Sequence, residues 1–481
     1  MNTGTYPKDD PKYLWVIPSD ENDGQGTFDR PFGRIAAALA KVKPGQVIVL
    51  KAGTYPGDVT VERSGIFDKP IYLVADKSAA VVVAAACWYF YDACDFIVSG
   101  ITFKDSPLGS LALTGACERN RFEHLSFIDC GSRQKASCTM FFGGAGASCN
   151  MVEFCNFERS LQLSGNAGKK PDDIVVGLMI SEGDSREGQP ITNHVVRRNR
   201  FTNYDYGVLI GAEDATARQY GHIISFNTIE NCGREGIMVK CGDTQVKGNV
   251  LTRCLCHSIS VVTGEGSVVE DNRIVDCGIG IRVAGKGHTV VNNCIVRSSN
   301  EAICVMEKNG ADGVASQNIF IEQNTCALWS QKAQPSLPAI SIASGSSAII
   351  KKNLFWGAGD PYRFTGAGNN KEKHLIFDNI STYGSTAPDG VTAGRFKLGS
   401  QEQDNFDNDS GYGASGWMCR PEPYDPDKEI LNESLCGQSN TPNEMEYLEK
   451  DDERGNETGI SGALLKSMFF SEDESRRNSS L

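Results

Sequence analysis

The chain has 481 residues, of which 40% are hydrophobic and 22% are charged, and no run of 18 or more apolar residues occurs, so no membrane span is expected. The formal net charge of −13 is uneven, because residues 401–481 hold 19 acidic and 7 basic side chains and leave the rest of the chain nearly neutral. An acidic tail on a neutral body argues against nucleic acid as a partner.

The first elements along the chain are predicted to form an N-terminal cap. Residues 13–17 favour a strand, residues 35–42 an alanine-rich helix, and residues 47–50 a buried strand. A short helix before the first repeat would cover apolar side chains and strand edges at the open end of a solenoid. The residues before the cap lack the basic and apolar regions of a signal peptide, so we expect a protein that stays inside the cell or an export signal that this sequence does not include.

A cassette of Asn followed two positions later by an apolar residue then recurs with a period of roughly 20 to 30 residues. Each coil of such a solenoid buries one face of each strand, so similar side chains should stack in columns. Asn suits the turns because it tolerates the left-handed backbone and its amide can bond to the Asn of the next coil. We therefore predict an all-β, right-handed parallel β-helix with a short N-terminal capping helix. The cassettes begin at Asn199, Asn227, Asn249, Asn272, Asn293, Asn324 and Asn353.

The seventeen cysteines are odd in number, and several fall within the coils. No Cys-x-x-Cys pair occurs, so a thiolate metal site is not expected. We interpret the cysteines as small buried hydrophobic residues that stack inside the solenoid.

The expected domain organisation has three parts. Residues 1–60 form the cap and first strands, residues 61–400 form the β-helix, and residues 401–481 form an acidic, partly disordered tail. The polar, Gly-rich residues 165–189 are expected to be a long loop beside the binding face.

Two stretches resemble known proteins. The segment with Pro44-Gly45, residues 47–50 and Gly53-Thr-Tyr55 resembles the entry segment of many carbohydrate-active β-helix proteins. The coils between Asn193 and Asn293 resemble polysaccharide lyase family 6, which contains chondroitinase B and alginate lyases, and in which a similar series of coils forms the catalytic groove. The pieces that carry this resemblance are His194-Val-Val-Arg-Arg-Asn199, Val208-Leu-Ile-Gly211, Glu230-Asn-Cys-Gly-Arg-Glu235, Ile237-Met-Val-Lys240, Val268-Val-Glu-Asp-Asn272, Gly280-Ile-Arg-Val283 and His288-Thr-Val-Val-Asn-Asn293.

The family resemblance implies a lyase that cleaves a uronate-containing polymer, alginate or a glycosaminoglycan, by β-elimination. Its partner would be an anionic polysaccharide, and relatives are usually periplasmic or secreted. The reaction removes the C5 proton next to a carboxylate, and that proton is barely acidic while the carboxylate keeps its charge. A Ca²⁺ ion held by oxygen ligands can neutralise the carboxylate, and a Lys can take the proton.

The resemblance assigns roles to individual residues. Lys240 matches the family's base, and Glu235 matches one of two calcium carboxylates. Asn203 or Asp205, one coil earlier, corresponds to the Asn ligand of the ion. Arg282 has no firm counterpart, but alternation along strands would place it on the same outward face as Lys240, where it would suit substrate carboxylates.

Two further residues are candidates for substrate binding. His288 precedes a strand, and its alternative role is a hydrogen bond to backbone at a corner. Glu307 lies one coil beyond Arg282 and could line the same groove, with a plain surface position as the alternative.

Two positions depart from the family pattern. The second acidic ligand falls at Gly233, and the family's catalytic Arg falls at Val262. His257, Arg253 or Glu265 could replace that Arg from nearby turns.

Two other functions therefore remain open. A glycoside hydrolase on the same fold would use two carboxylates in place of a Lys base, drawn from Asp205, Glu213, Glu235 and Glu307. A glycan-binding β-helix protein would keep the groove without catalysis, and the missing Arg favours this alternative.

Overall fold

The chain forms three long parallel sheets that run side by side along one axis. The computed structural model describes residues 6–19, 24–77, 79–131, 136–160, 174–181, 189–211, 219–306, 315–327, 329, 337–356, 360–365, 374–381 and 391–393. Within these residues each coil passes through sheet 1, sheet 2 and sheet 3 in turn, and each strand pairs in parallel with the strand one coil further on. The predicted right-handed parallel β-helix is confirmed.

The bounds of the strands follow the order of the coils. Sheet 1 contains Tyr13–Val16, Val47–Leu50, Ile71–Ala75, Phe96–Ser99, Arg121–Glu123, Met151–Glu153, Val195–Arg197, Ile223–Ser225, Gln245–Lys247, Val268–Glu270, Thr289–Val291, Ile319–Glu322, Ala348–Lys351 and Leu375–Phe377. Sheet 2 contains Gly53–Pro56, Val81–Ala84, Thr102–Lys104, Ser126–Ile128, Asn156–Glu158, Arg200–Thr202, Thr228–Glu230, Val250–Thr252, Arg273–Val275, Cys294–Val296, Thr325–Ala327, Leu354–Trp356, Asn379–Ser381 and Val391–Ala393. Sheet 3 contains Val59–Val61, Trp88–Tyr91, Leu111–Thr114, Ser137–Phe142, Val175–Ile180, Tyr206–Ile210, Glu235–Val239, His257–Val261, Ile279–Val283, Ile303–Val305, Ile340–Ile342 and Tyr362–Phe364. A separate pair joins Ile191–Thr192 to Gln219–Tyr220.

The interior is built from columns of similar side chains, as the repeat predicts. Phe103, Phe127, Phe157 and Phe201 occupy the same position in four successive coils of sheet 2. Their rings stack with centroid separations of 5.1, 4.6 and 4.5 Å. Burial of each ring contributes about 1.5–3 kcal/mol to stability, and stacking adds to that figure.

A ladder of asparagine amides runs along the corner between sheets 1 and 2. From Asn199 onward, each Nδ2 donates to the Oδ1 of the Asn in the next coil at 2.9–3.1 Å. This bonding confirms the predicted amide contact between coils. The left-handed backbone, however, belongs to the residue before each ladder Asn, as at Arg198, Phe226 and Gly248. The expectation that the ladder Asn itself adopts the left-handed backbone is therefore wrong. The Asn side chain serves to bond across coils.

A second polar ladder marks the start of the sheet 1 strands and includes three fully buried histidines. The amides of Asn150, His194 and Ser267 donate to Nδ1 of His194, His222 and His288 at 3.1, 3.3 and 3.1 Å. Because Nδ1 accepts in each bond, the neutral imidazole carries its proton on Nε2.

The cap and the cysteines also match the sequence analysis. The helix Ile35–Leu39 is shorter than predicted and buries Ile35, Ala38 and Leu39 against the first coils. Cysteines within the described residues are free thiols, most of them buried. No helix in that part of the chain is long and apolar enough to cross a membrane.

Residues 165–189 differ from the expected loop. They contain Val175–Ile180, a fully buried strand of sheet 3. Its continuous apolar run, VVGLMI, is typical of a strand that is covered on both faces. The acidic residues 401–481 lie outside the described residues.

Candidate functional site

The outward face of sheet 3 carries both predicted catalytic residues. Lys240 directly follows the strand Glu235–Val239, and its neighbours Val239 and Cys241 both belong to the interior core. Since side chains alternate between faces, Lys240 points away from the core. Lys240 is nevertheless only 7% exposed, which is unusual for a charged side chain outside the core.

Arg282 lies on the same face, two coils further along. The sheet register pairs Met238 with Ser260 and Ser260 with Arg282. With about 4.8 Å between coils and about 3.3 Å per residue, the Cα atoms of Lys240 and Arg282 are roughly 12 Å apart. Both long side chains can therefore reach groups on one extended ligand. Arg282 is also 7% exposed.

Glu235 and His257 contact each other at the start of their sheet 3 strands, whereas Lys240 follows the other end of the Glu235 strand. They occupy the same column of sheet 3, and Nδ1 of His257 lies 3.1 Å from Oε1 of Glu235. Glu235 is 6% exposed, and its second oxygen, Oε2, is buried with no hydrogen-bond partner in the described part of the chain. A buried carboxylate oxygen of this kind has the chemistry to bind a cation or a donor group on a ligand.

Gly236 determines the direction of the Glu235 side chain. A Cβ at Gly236 would point into the core, 2.5 Å from Cδ2 of Leu251 and 2.7 Å from the carbonyl oxygen of Ser258. The next residue, Ile237, is also part of the core. Two successive residues therefore face inward, and Glu235 is turned to the outside.

Tyr206 completes the column one coil before Glu235. Its hydroxyl accepts a 3.5 Å hydrogen bond from Nη1 of Arg234. Burial, together with the negative charge of Glu235, raises the pKa of Tyr206 to about 12. The phenol therefore stays protonated at neutral pH. Sequence reasoning missed Tyr206, because only the register between coils brings it next to Glu235.

The three predicted calcium ligands are not equivalent. Oδ2 of Asp205 accepts a 3.0 Å hydrogen bond from the amide of Val175, which gives this fully buried carboxylate a structural role. Asn203 donates Nδ2 to the carbonyl oxygen of Arg159, and its Oδ1 is buried with no partner among the described residues. The two oxygens that suit a hard cation are thus Oδ1 of Asn203 and Oε2 of Glu235. Within the same residues, no three His, Cys, Asp or Glu side chains converge on a metal site.

The position of the family's catalytic Arg is apolar. Val262 is 4% exposed and belongs to an apolar cluster on the outside of sheet 3 with Met238 and Leu209. Of the three residues that could replace the Arg, His257 alone lies in a sheet 3 strand. Arg253 bonds to Asn231 at the end of a sheet 2 strand, and Glu265 pairs with Lys286 after sheet 3.

The remaining predicted residues do not join this group. His288 is fully buried in the second polar ladder, where it has no surface for a substrate and bonds to backbone. Glu307 lies outside the described residues. Cys304, the neighbour of Arg282 in the next coil, accepts a hydrogen bond from Ser341, and burial raises the pKa of its thiol to about 11. It is therefore a neutral neighbour and not a thiolate.

Comparisons with known proteins agree with this architecture. The family described as "Right handed beta helix region" matches residues 191–337. A mannuronic acid specific polysaccharide family 6 lyase from human gut microbiota superposes with a TM-score of 0.57 and 18% identity, over 89% of this chain and 100% of that chain. The PL6 family polysaccharide lyase Pedsa3628 from Pseudopedobacter saltans superposes with a TM-score of 0.56 and 17% identity, over 75% of this chain and 94% of that chain. The protein has the fold of polysaccharide lyase family 6.

Sequence similarity to curated proteins is limited to a short segment of the chain. The chain is 30% identical over 108 residues to the uncharacterized protein YwoF of Bacillus subtilis (strain 168). That segment covers 20% of this chain and 23% of YwoF, so the match spans about a quarter of the relative's length. The chemistry of this chain must therefore be argued from its own residues.

Proposed function

We propose that the outward face of sheet 3 is the active site of a polysaccharide lyase that cleaves a uronate-containing polymer, alginate or a glycosaminoglycan, by β-elimination. The observation that carries the proposal is the pair Lys240 and Arg282, two largely buried cations on one outward face. On the same face, at the start of the strands, buried Glu235 is hydrogen-bonded to the half-buried His257. An anionic polymer on this face would meet the positive charge of both residues.

Each residue would contribute one step. Arg282 pairs with a substrate carboxylate and fixes the sugar ring. Lys240, in its neutral form, takes the proton from C5. The electron pair of the broken C–H bond forms the C4=C5 double bond as the C4–O bond breaks. The departing oxygen takes a proton from His257 or from Tyr206, whose high pKa keeps the phenol protonated.

Calcium belongs to the same proposal. Asn203 and Glu235 would hold Ca²⁺ through their two unpartnered buried oxygens, with water and substrate oxygens completing the shell. The ion would supply positive charge to the substrate carboxylate. Asp205 is not part of this ligand set, because its carboxylate already accepts the Val175 amide.

The first test measures ultraviolet absorbance of the unsaturated uronate product with alginate, chondroitin sulfate, dermatan sulfate and pectate. Wild-type protein should produce a rise in absorbance on one of these polymers. Lys240→Ala should lower the rate of that rise at least roughly 10³-fold, because the base is lost. Lys247→Ala is the matched control, since Lys247 lies on sheet 1, pairs with Glu270, and should leave the rate unchanged. Equal rates for Lys240→Ala and wild type would exclude Lys240 as the base.

The calcium assignment has a separate readout. Titration of Ca²⁺ into chelator-treated protein should give heat of binding and raise the unfolding temperature, because an ion that binds only the folded chain stabilises it. Glu235→Gln and Asn203→Ala should weaken both effects. Asp205 is unsuitable as a control because it supports the fold. Glu265 is an exposed carboxylate, so the Glu265→Gln protein should bind Ca²⁺ as wild type does. Absence of heat and of a temperature shift would remove calcium from the proposal.

The same assays separate the alternatives. Reducing-sugar release without an ultraviolet rise would indicate the glycoside hydrolase. Binding without turnover, in wild type and Lys240→Ala alike, would indicate a glycan-binding protein. The apolar Val262 at the position of the family's catalytic Arg would explain that result. Only a Lys240-dependent ultraviolet rise supports the lyase.

A further inference from the structure

One outward column of side chains runs along the middle of sheet 3 and changes from apolar to polar at Ser260. The strand pairing places one residue from each successive coil in this column. The last two apolar members belong to a buried cluster on the outside of the sheet, and polar side chains and a thiol follow them. In chain order these positions are Leu209, Met238, Ser260, Arg282, Cys304 and Ser341.

The hydroxyl of Ser260 is buried on this outward face without a partner. Its neighbours Ile259 and Val261 both lie in the interior core, so alternation turns Ser260 to the outside. The residue is fully buried, and its Oγ has no hydrogen-bond partner among the described residues. Full burial also keeps bulk water away from the hydroxyl. A buried hydroxyl in this state costs free energy and calls for an explanation.

The neighbours in the column explain why the hydroxyl of Ser260 has no acceptor. On one side Met238 offers only a thioether, which is a weak acceptor, and on the other side Arg282 offers only donors. The next serine of the column, Ser341, is different, because its hydroxyl donates a 3.2 Å hydrogen bond to Sγ of Cys304. The missing group at Ser260 is therefore an acceptor.

Ser260 also lies between the two cations of the proposed active site. Its Cα atom is one coil spacing, about 4.8 Å, from that of Arg282. Lys240 lies one coil back and two residues further along, which places the Cα atoms of Lys240 and Ser260 roughly 8 Å apart. A group that enters between these two cations is favoured if it is negatively charged. An anionic oxygen would thus supply both the missing acceptor and the matching charge.

We propose that Ser260 contacts the substrate and that its hydroxyl donates a hydrogen bond to the uronate carboxylate that pairs with Arg282. This inference rests on the proposed binding of a uronate polymer to the outward face of sheet 3. Arg282 would supply the charge and Ser260 a second donor, so that both oxygens of one carboxylate are bound. Ser260 would thereby favour a uronate over a neutral sugar, because a charged oxygen is a stronger acceptor than a sugar hydroxyl.

Ser260→Ala tests this contact, because affinity and stability should respond differently. The substitution should weaken binding of the polymer by roughly tenfold, since a hydrogen bond to a charged group is lost. It should not lower the unfolding midpoint, because the free protein loses only a hydroxyl that has no partner. Calorimetry measures binding of alginate, chondroitin sulfate, dermatan sulfate and pectate. The full-length protein carries Lys240→Ala in this assay, so that turnover does not consume the polymer.

Two controls identify the location and the bound group. Ser258→Ala removes a fully buried serine of the same strand, but Ser258 lies opposite Gly236, where side chains point into the core. This variant should therefore bind the polymer as the parent protein does. The carboxyl-reduced form of the same polymer should bind weakly and equally to the parent protein and to the Ser260→Ala variant, because it lacks the carboxylate.

The outcomes separate this contact from the lyase activity. The inference is overturned by equal polymer affinity with and without Ser260→Ala, by a lower unfolding midpoint of that variant, or by the same loss of affinity for the carboxyl-reduced polymer. An ultraviolet rise with KM and kcat unchanged by Ser260→Ala would reject the contact and keep the lyase. Binding that depends on Ser260, in a protein that gives no ultraviolet rise on any polymer, would keep the contact and reject the lyase.

Discussion

At the scale of single residues, the position of one glycine decides the chemistry of the sheet 3 face. Gly236 adds an extra inward residue to its strand, and the carboxylate of Glu235 is thereby turned outward to meet His257. Alternation alone would send Glu235 inward, because Ile237 and Val239 both lie in the core.

Gly236→Ala is therefore expected to destabilise the protein by about 1–3 kcal/mol, because the new Cβ meets Leu251 and the carbonyl of Ser258 and no side-chain rotation relieves the backbone contact. Urea unfolding measures the change. Ser258→Ala, one coil further along, is the matched control and should cost clearly less. A Gly236→Ala protein as stable as wild type would show that the strand can shift outward.

The candidate site was only partly predictable from sequence. Lys240 and Glu235 were assigned from the family resemblance and Arg282 from alternation along its strand, and the structure puts all three on the outward face of sheet 3. Tyr206 was missed because its proximity to Glu235 follows from pairing across coils. The spacing between paired positions varies, from 21 residues for Asn272 and Asn293 to 44 for Cys155 and Asn199, so register cannot be counted out along the chain.

At the scale of structural elements, the asparagine ladder ties neighbouring coils together. Asn272 illustrates the bonding, since its Oδ1 accepts from both the amide and Nδ2 of Asn249, and its Nδ2 donates to the carbonyl of Val246 and to Asn293. All these groups are buried, so each bond lost leaves an unsatisfied partner. The ladder was foreseen because a repeated residue type at a steady period is visible in sequence. The left-handed residue before it was not, because residue types as different as Phe and Gly occupy that place.

Asn272→Ala is expected to lower the free energy of unfolding by about 2–4 kcal/mol, since it leaves buried groups of both neighbouring coils unpaired. Chemical denaturation checks the value. Asn156→Ala removes a partly exposed amide that bonds to Glu158 on the outside of sheet 2, and it should change stability by less than about 0.5 kcal/mol. Equal effects of the two substitutions would mean that the ladder adds nothing beyond a surface contact.

At the scale of the whole molecule, the buried histidines make stability depend on pH. Burial lowers the pKa of His222 to about 3 and that of His288 to about 4, and it holds the pKa of His194 well below its usual range. Unfolding releases each imidazole to an ordinary pKa near 6.5. As pH falls below about 6.5, these histidines bind protons in the unfolded chain but stay neutral in the folded chain. The free energy of unfolding therefore decreases until the pH reaches the folded-state pKa.

Removal of one histidine should reduce this dependence. His288→Asn keeps an acceptor for the Ser267 amide, as Asn150 does at the equivalent position, and it should eliminate a loss on the order of 3 kcal/mol between pH 6.5 and pH 4. Unfolding free energies at pH 7, 5.5 and 4.5 give the slope. His124→Asn, the same substitution at an exposed position outside this ladder, is the matched control. Parallel curves for wild type and His288→Asn would contradict the prediction.

The connections at the corners of the solenoid differ in how constant their length is, and this difference affects where the sequence can change in evolution. In the coils from Phe96–Ser99 to Ala348–Lys351, two residues connect each sheet 1 strand to its sheet 2 strand. The connections on either side of sheet 3 vary widely in length. Insertions and deletions can therefore accumulate at the rim of sheet 3, while the ladder corner keeps its spacing. New specificity for a polymer can arise there through loop exchange, with the scaffold inherited unchanged.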